Sequence, residues 1–162
     1  MIVRDRRVPI DGLMTQIIRS AKLTDQRVLC DLYRQLHPAD PAWPSEAVAA
    51  EALSHVLGHD GTTILIGEVG AVAVSTCMLM ICPNFSRCGR PFALIENVVT
   101  DRQHRLRGYG RKIVAHAIDL ARQQGCYRVT LMTGSRREET LRFYEAAGLR
   151  RNPKTAFEVR FA

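Results

Sequence analysis

Long apolar runs are missing from this chain of 162 residues. The longest candidate, Ala71 to Cys82, is interrupted by Ser75 and Thr76 and falls short of the roughly eighteen residues that a membrane-spanning helix needs. Arg4, Arg6 and Arg7 at the N-terminus have no apolar stretch behind them, so no export signal is read there and a cytoplasmic protein without membrane contact is expected. Cysteine is sparse and odd in number. Cys30, Cys77, Cys82, Cys88 and Cys126 include no Cys-x-x-Cys pair and have no histidine at metal-ligand spacing. That pattern speaks for reduced thiols and against zinc, any other metal, bridges or a catalytic cysteine; Cys82 and Cys88 flank one loop and are the pair placed to meet. Aromatics make up only 6% and no RNA- or DNA-binding module is present, which argues against nucleic acid as a partner despite a net charge of +7.

What is there suits one compact unit. With 46% hydrophobic residues the chain can bury one core and has no room for two. Residues 1–13 are basic, contain Pro9 and Gly12 and show no period, so they read as an arm ahead of a single domain at 14–162. The positive charge is uneven: residues 101–162 carry 14 Lys and Arg against 6 Asp and Glu, whereas residues 1–100 carry 9 against 10. Such a field attracts an anionic partner to the C-terminal half.

Periodicity gives the elements. Ile17 to Ala21 reads as a strand, and Thr24 as the cap of a helix with Val28, Leu29, Leu32, Tyr33 and Leu36 on one face, stopped by Pro38, Pro41 and Pro44. Ser45 caps a second helix to Leu57, with Val48, Ala52 and Val56 inward. Strands come next at Thr62 to Val69 and Ala71 to Cys82, joined at Gly70, then a Pro83 to Pro91 loop and a strand from Phe92 to Thr100. A helix from Tyr109 to Gln124 buries Ile113, Val114, Ala117, Ile118 and Ala121. A strand at Tyr127 to Met132, a helix at Glu138 to Ala147 closed by Gly148, and a last strand at Phe157 to Phe161 complete the order β-α-α-β-β-β-α-β-α-β.

The most informative stretch joins the Phe92–Thr100 strand to the long helix. In Arg105-Leu106-Arg107-Gly108-Tyr109-Gly110-Arg111 two glycines allow a tight turn with free N–H groups, the helix N-terminus adds its positive dipole, and arginines stand beside both. An anion is the natural guest. A dinucleotide fingerprint would need a third glycine where Ile113 stands and an acid near Arg128, and a Walker A loop would need a Gly-Lys-Ser/Thr ending, so neither fits. The alternative is a plain connection with solvated arginines.

Arg-x-x-Gly-x-Gly resembles the pyrophosphate-binding signature of the GNAT family of N-acetyltransferases. The segment from Glu96 to Gly148, with Gly125-Cys126-Tyr127-Arg128-Val129-Thr130-Leu131-Met132 and Phe143-Tyr144-Glu145-Ala146-Ala147-Gly148-Leu149 in order, is similar to the core of glucosamine-6-phosphate N-acetyltransferases and related bacterial members. The resemblance implies an α/β (α+β) fold with a mixed, mostly antiparallel sheet flanked by helices, and acetyl transfer from acetyl-CoA to a primary amine by direct attack in a ternary complex. An amino sugar or its phosphate comes first as acceptor, another small amine or a protein lysine next. It also implies that the backbone of Val98, Val99 and Thr100 pairs with the pantetheine arm, that the amides of Arg105 to Arg111 take the pyrophosphate, and that Thr140 donates one further hydrogen bond to that arm. Homodimers are common in the family. Glu96, an acid among Leu94, Ile95, Val98 and Val99, is the candidate for substrate binding or base duty; its rival reading is a structural salt bridge. Next to it Asn97 stands where the amino-sugar enzymes carry Asp, so a charged substrate contact has become neutral. Tyr144 is the candidate donor to the departing thiolate, with a core tyrosine as the rival. For the whole chain the rival class is a non-catalytic acyl-CoA-binding sensor.

Overall fold

The computed structural model describes residues 15–151, 156–159 and 161; the arm expected at 1–13 lies outside them. Five strands form one sheet in sequence order: β1 (Ile17–Ser20), β2 (Thr62–Val69), β3 (Val72–Cys82), β4 (Phe92–Thr100) and β5 (Val129–Leu131). The first four pair antiparallel and β5 joins β4 in parallel, a pairing that requires a crossover. The helix α3 (Tyr109–Gln123) supplies it. Before β2 come α1 (Gln26–Leu36) and α2 (Glu46–Leu57), and after β5 comes α4 (Glu138–Ala146).

Alternation along the strands assigns the two faces. Ile64 and Ile66 of β2 pack with Leu29 and Leu53 under α1 and α2. Leu65 between them joins Ile113, Val114, Ala117 and Ala121 of α3 on the other face, together with Cys77, Leu79 and Ile95. The β2–β3 hairpin turns on Gly70 and Ala71, both left-handed at φ 55° and 66°, between the paired Val69 and Val72. Two left-handed residues give the turn whose twist matches that of the strands it joins.

Three elements and the inward face of a fourth depart from the sequence reading. Thr24 does not cap α1. The Asp25 carboxylate accepts from the Lys22 N–H at 2.7 Å and from the Arg19 guanidinium at 2.7 and 2.8 Å, which tightens Leu23–Asp25 into a 3-10 turn and starts α1 at Gln26. Ser45 does cap α2, its hydroxyl accepting from the Val48 N–H, but Val48 is exposed and Ala49 and Leu53 are buried, because the short Ala49 side chain lets the helix settle on β2 along that line. β5 is three residues long, shorter than the 127–132 reading. Finally, the strand expected at Phe157 to Phe161 lies partly outside the described residues, and among those described, 156–159 and 161 are in no strand, with Phe157, Val159 and Phe161 exposed. All five cysteines are free thiols, Cys82 and Cys88 included.

Candidate active site

β4 outlasts its neighbour. Parallel pairing runs from Ala93–Val129 to Ile95–Leu131 and stops, while β4 continues along β3 to Thr100. Beyond Ile95, the side of β4 that β5 covered has no strand partner among the described residues. The register against β3 slips at the same place: Glu96 lies opposite Met78 but Val99 lies opposite Thr76, so Asn97 and Val98 together face Cys77. Asn97, at φ 53°, absorbs the extra residue as a β-bulge, which bends the strand and re-aims its last three residues.

A cavity of about 240 Å³ opens where the strands part. Its walls are residues 95–98 of β4, 131–134 at and after β5, Tyr144 of α4, and Leu36 and His37 at the end of α1. Sites that enclose a whole ligand usually run to about 300–1,000 Å³, so this one suits the reacting ends of two substrates.

Glu96 comes after Ile95, which belongs to the α3-side core, and pairs with Met78, which packs on the α1–α2 side; its carboxyl therefore faces the helices α1 and α2. Among the described residues it forms no ion pair and no hydrogen bond, and burial pushes its pKa above the usual carboxyl range. Tyr144 is half-buried, its ring edge-on to Phe143 with centroids 4.8 Å apart. Its phenol has no hydrogen-bond partner among the described residues, and its pKa is raised by burial and, secondarily, by the negative charge of Glu96. The two groups thus share one space across the gap.

The basic turn lies at the far end of β4. Asp101 accepts from the Gln103 N–H at 3.0 Å and meets His104 Nδ1 at 2.8 Å, closing a short turn at Arg102–His104. Gly108, left-handed at φ 81°, then leads into α3, whose first turn has no side-chain cap; its N–H groups are left for a guest. A Cβ on Gly110 would come within 2.7 Å of Thr100 Oγ1 and 3.2 Å of the Phe143 ring, whereas one on Gly108 would meet nothing within 4 Å. Arg105, Arg107 and Arg111 are exposed and have no carboxylate partner among the described residues; Arg105 Nε donates to the Thr100 carbonyl at 3.2 Å. Leu106 is exposed at φ 62°. Tyr109 is buried, so only its backbone is available to an anion. An uncapped helix start, unpaired arginines and a glycine with no room for a side chain fit a diphosphate.

Thr140 sits apart. It receives a hydrogen bond from Ser135 Oγ at 3.2 Å at the start of α4 and does not line the cavity. Sequence reasoning missed the contribution of α1: Gln35 donates to Asp101 Oδ2 and accepts from the Arg102 N–H, both at 2.9 Å, and so ties the helix end carrying Leu36 and His37 to the basic turn. A polar residue and a histidine just before the Pro38 stop were the available signal.

The sequence matches the family model described as Acetyltransferase (GNAT) family over residues 27–149. The chain belongs to the GNAT family of acetyltransferases. It is 32% identical over 123 residues to glucosamine 6-phosphate N-acetyltransferase 1 of Oryza sativa subsp. japonica, a match covering 70% of each chain. The corresponding enzyme of Trypanosoma brucei brucei is 39% identical over 77 residues, which is 48% of this chain and half of that protein's length. Among solved structures, a putative acetyltransferase from Agrobacterium tumefaciens is 39% identical with a TM-score of 0.85, covering 90% of this chain and 99% of that one. Among its described residues this GNAT chain has the mixed, mostly antiparallel sheet and the four helices that the resemblance implied. Among the described residues no helix is long and apolar enough to cross a membrane.

Proposed function

We propose that this acetyltransferase moves an acetyl group from acetyl-CoA to the primary amine of an amino sugar or amino-sugar phosphate, by direct attack within a ternary complex in the cytoplasm. One observation carries the reading: Glu96 and Tyr144, neither bonded to any described residue, face a single cavity at the parting of β4 and β5. The acceptor class rests on the names of the rice and trypanosome relatives, and the compartment suits five free thiols.

Acetyl-CoA, when bound, supplies the activated acyl group. The unpaired stretch Val98 to Thr100 offers its amide and carbonyl groups to the pantetheine arm as an added strand would. The first amides of α3, with Arg105, Arg107 and Arg111, hold the pyrophosphate. Glu96 and Asn97 meet the acceptor, and the Glu96 carboxylate takes the ammonium proton, directly or through one water. Tyr144, kept protonated by its raised pKa, donates to the sulfur as negative charge develops there. The test is thiol release from acetyl-CoA against a panel of amines that includes glucosamine, glucosamine 6-phosphate, small alkylamines and lysine peptides. Amine-dependent release highest with an amino sugar is expected; no release with any amine, alongside tight coenzyme A binding, would overturn the enzymatic reading.

A further inference from the structure

Different parts of the chain border the two halves of the site. The basic turn follows directly on Asp101 at the end of β4, whereas Leu36 and His37 at the end of α1 close one wall of the cavity. One side chain joins them. Gln35 Nε2 donates to Asp101 Oδ2, and Gln35 Oε1 accepts from the Arg102 N–H, both at 2.9 Å. A carboxylate next to an N–H calls for one donor and one acceptor side by side, which a carboxamide supplies in a single orientation.

Asp101 is the hub of this junction. Its N–H donates to the Val74 carbonyl of β3 at 2.8 Å, and its carboxylate also accepts from the Gln103 N–H and meets His104 Nδ1. It thereby fixes the short turn from which the cradle continues. Donation from Gln35, ahead of that from His104 and the Gln103 N–H, holds the Asp101 carboxyl below its usual range. Elsewhere on α1, Arg34 bonds Asp31 within the helix and Gln26 bonds the Glu46 carbonyl of α2. Among the described residues, Gln35 is thus the α1 side chain that hydrogen-bonds the end of β4. The helix stops directly after it, at Leu36, and Pro38 keeps it from continuing.

We infer that Gln35 is a positioning residue, which couples the α1 wall of the cavity to the coenzyme A cradle. This rests on the proposed function. A ligand on either side orders the end of α1 and the turn together, and the ordering it imposes is spared the second ligand. By linkage the gain is the same in both directions. The experiment measures the Kd of coenzyme A by calorimetry with and without saturating glucosamine 6-phosphate, a pair that cannot react, in the wild-type protein, Gln35→Met and Gln35→Glu. Both replacements keep the helix propensity of glutamine, which thermal melts check. Neither can make the bond pair, since methionine lacks both groups and an ionised glutamate lacks the donor. In the wild type, coenzyme A should bind at least about fivefold more tightly with the amine present. In the variants that ratio should fall to near one and the amine KM should rise by the same factor, while the Kd of coenzyme A alone stays within about twofold. An unchanged ratio in the folded variants, or no coupling in a wild type that acetylates the amine, would overturn the inference and leave the proposed function standing. Turnover of no amine by the wild type would overturn both.

Discussion

Glu96 and Tyr144 show what a half-buried ionisable group costs and what it offers. Burial raises the Glu96 pKa, so the folded chain holds that proton to higher pH than the unfolded chain does. Its contribution to stability is full below the unfolded pKa and is lost as pH rises through the folded one. Glu96→Gln is therefore expected to raise Tm at neutral pH and to lose that advantage in acid, as a thermal-melt series against pH would read. Its catalytic effect has the opposite sign. The carboxylate accepts a proton only above its raised pKa, so wild-type turnover should fall as pH drops through that value, while the variant should lose this acidic limb, keep its coenzyme A affinity and turn over ten- to a hundredfold more slowly. Stability gained with activity lost would mark the site as one that the fold tolerates rather than needs. For Tyr144→Phe, turnover should fall on the order of a hundredfold with little change in the acetyl-CoA KM, since the missing hydrogen bond belongs to the transition state; steady-state kinetics checks this, and undiminished turnover would return Tyr144 to a packing role.

At the scale of elements, turns separate strain from obstruction. Ala71 holds a left-handed conformation that a side chain disfavours by about 1 kcal/mol, so Ala71→Gly should stabilise the hairpin by roughly that amount in urea unfolding, offset in part by the greater freedom of glycine in the unfolded chain. Gly108→Val should leave a folded protein with little or no affinity for coenzyme A by calorimetry, because the added side chain projects into the open space before α3 and disfavours φ 81°. Elements of this kind were legible in the sequence wherever local chemistry decides them: Ser45 as a cap, Gly148 after α4, the apolar stripe from Ile113 to Ala121. The candidate site was legible on its β4 and α3 sides for the same reason. The end of α1 was not, because the bond from Gln35 to Asp101 joins residues 66 positions apart, and no periodicity encodes such a contact. Nor does alternation in Phe157, Val159 and Phe161 say whether an edge is there to receive it.

For the whole molecule, the positive excess of the C-terminal half coincides with an uncapped helix start and arginines that no described carboxylate neutralises. Capture of coenzyme A should accordingly slow with added salt, and Arg105→Glu or Arg107→Glu should weaken binding more at low than at high ionic strength, since exposed charges are screened within about 10 Å at 0.1 M; stopped-flow association across a salt series would show it. The parting of β4 and β5 has another consequence. Among the described residues, three residue pairs join β5 to the rest of the sheet, so the β5 amides should be among the first of the strands to exchange with deuterium in the free protein. A guest laid along both open edges would act as a missing strand supplied from solution. Saturating coenzyme A at about a hundred times its Kd should stabilise the protein by roughly 2.7 kcal/mol, and the gain in protection should concentrate on β5 and α4, leaving the β1–β3 meander nearly as it was. In the language of folding, the cosubstrate would complete the sheet of the enzyme that consumes it.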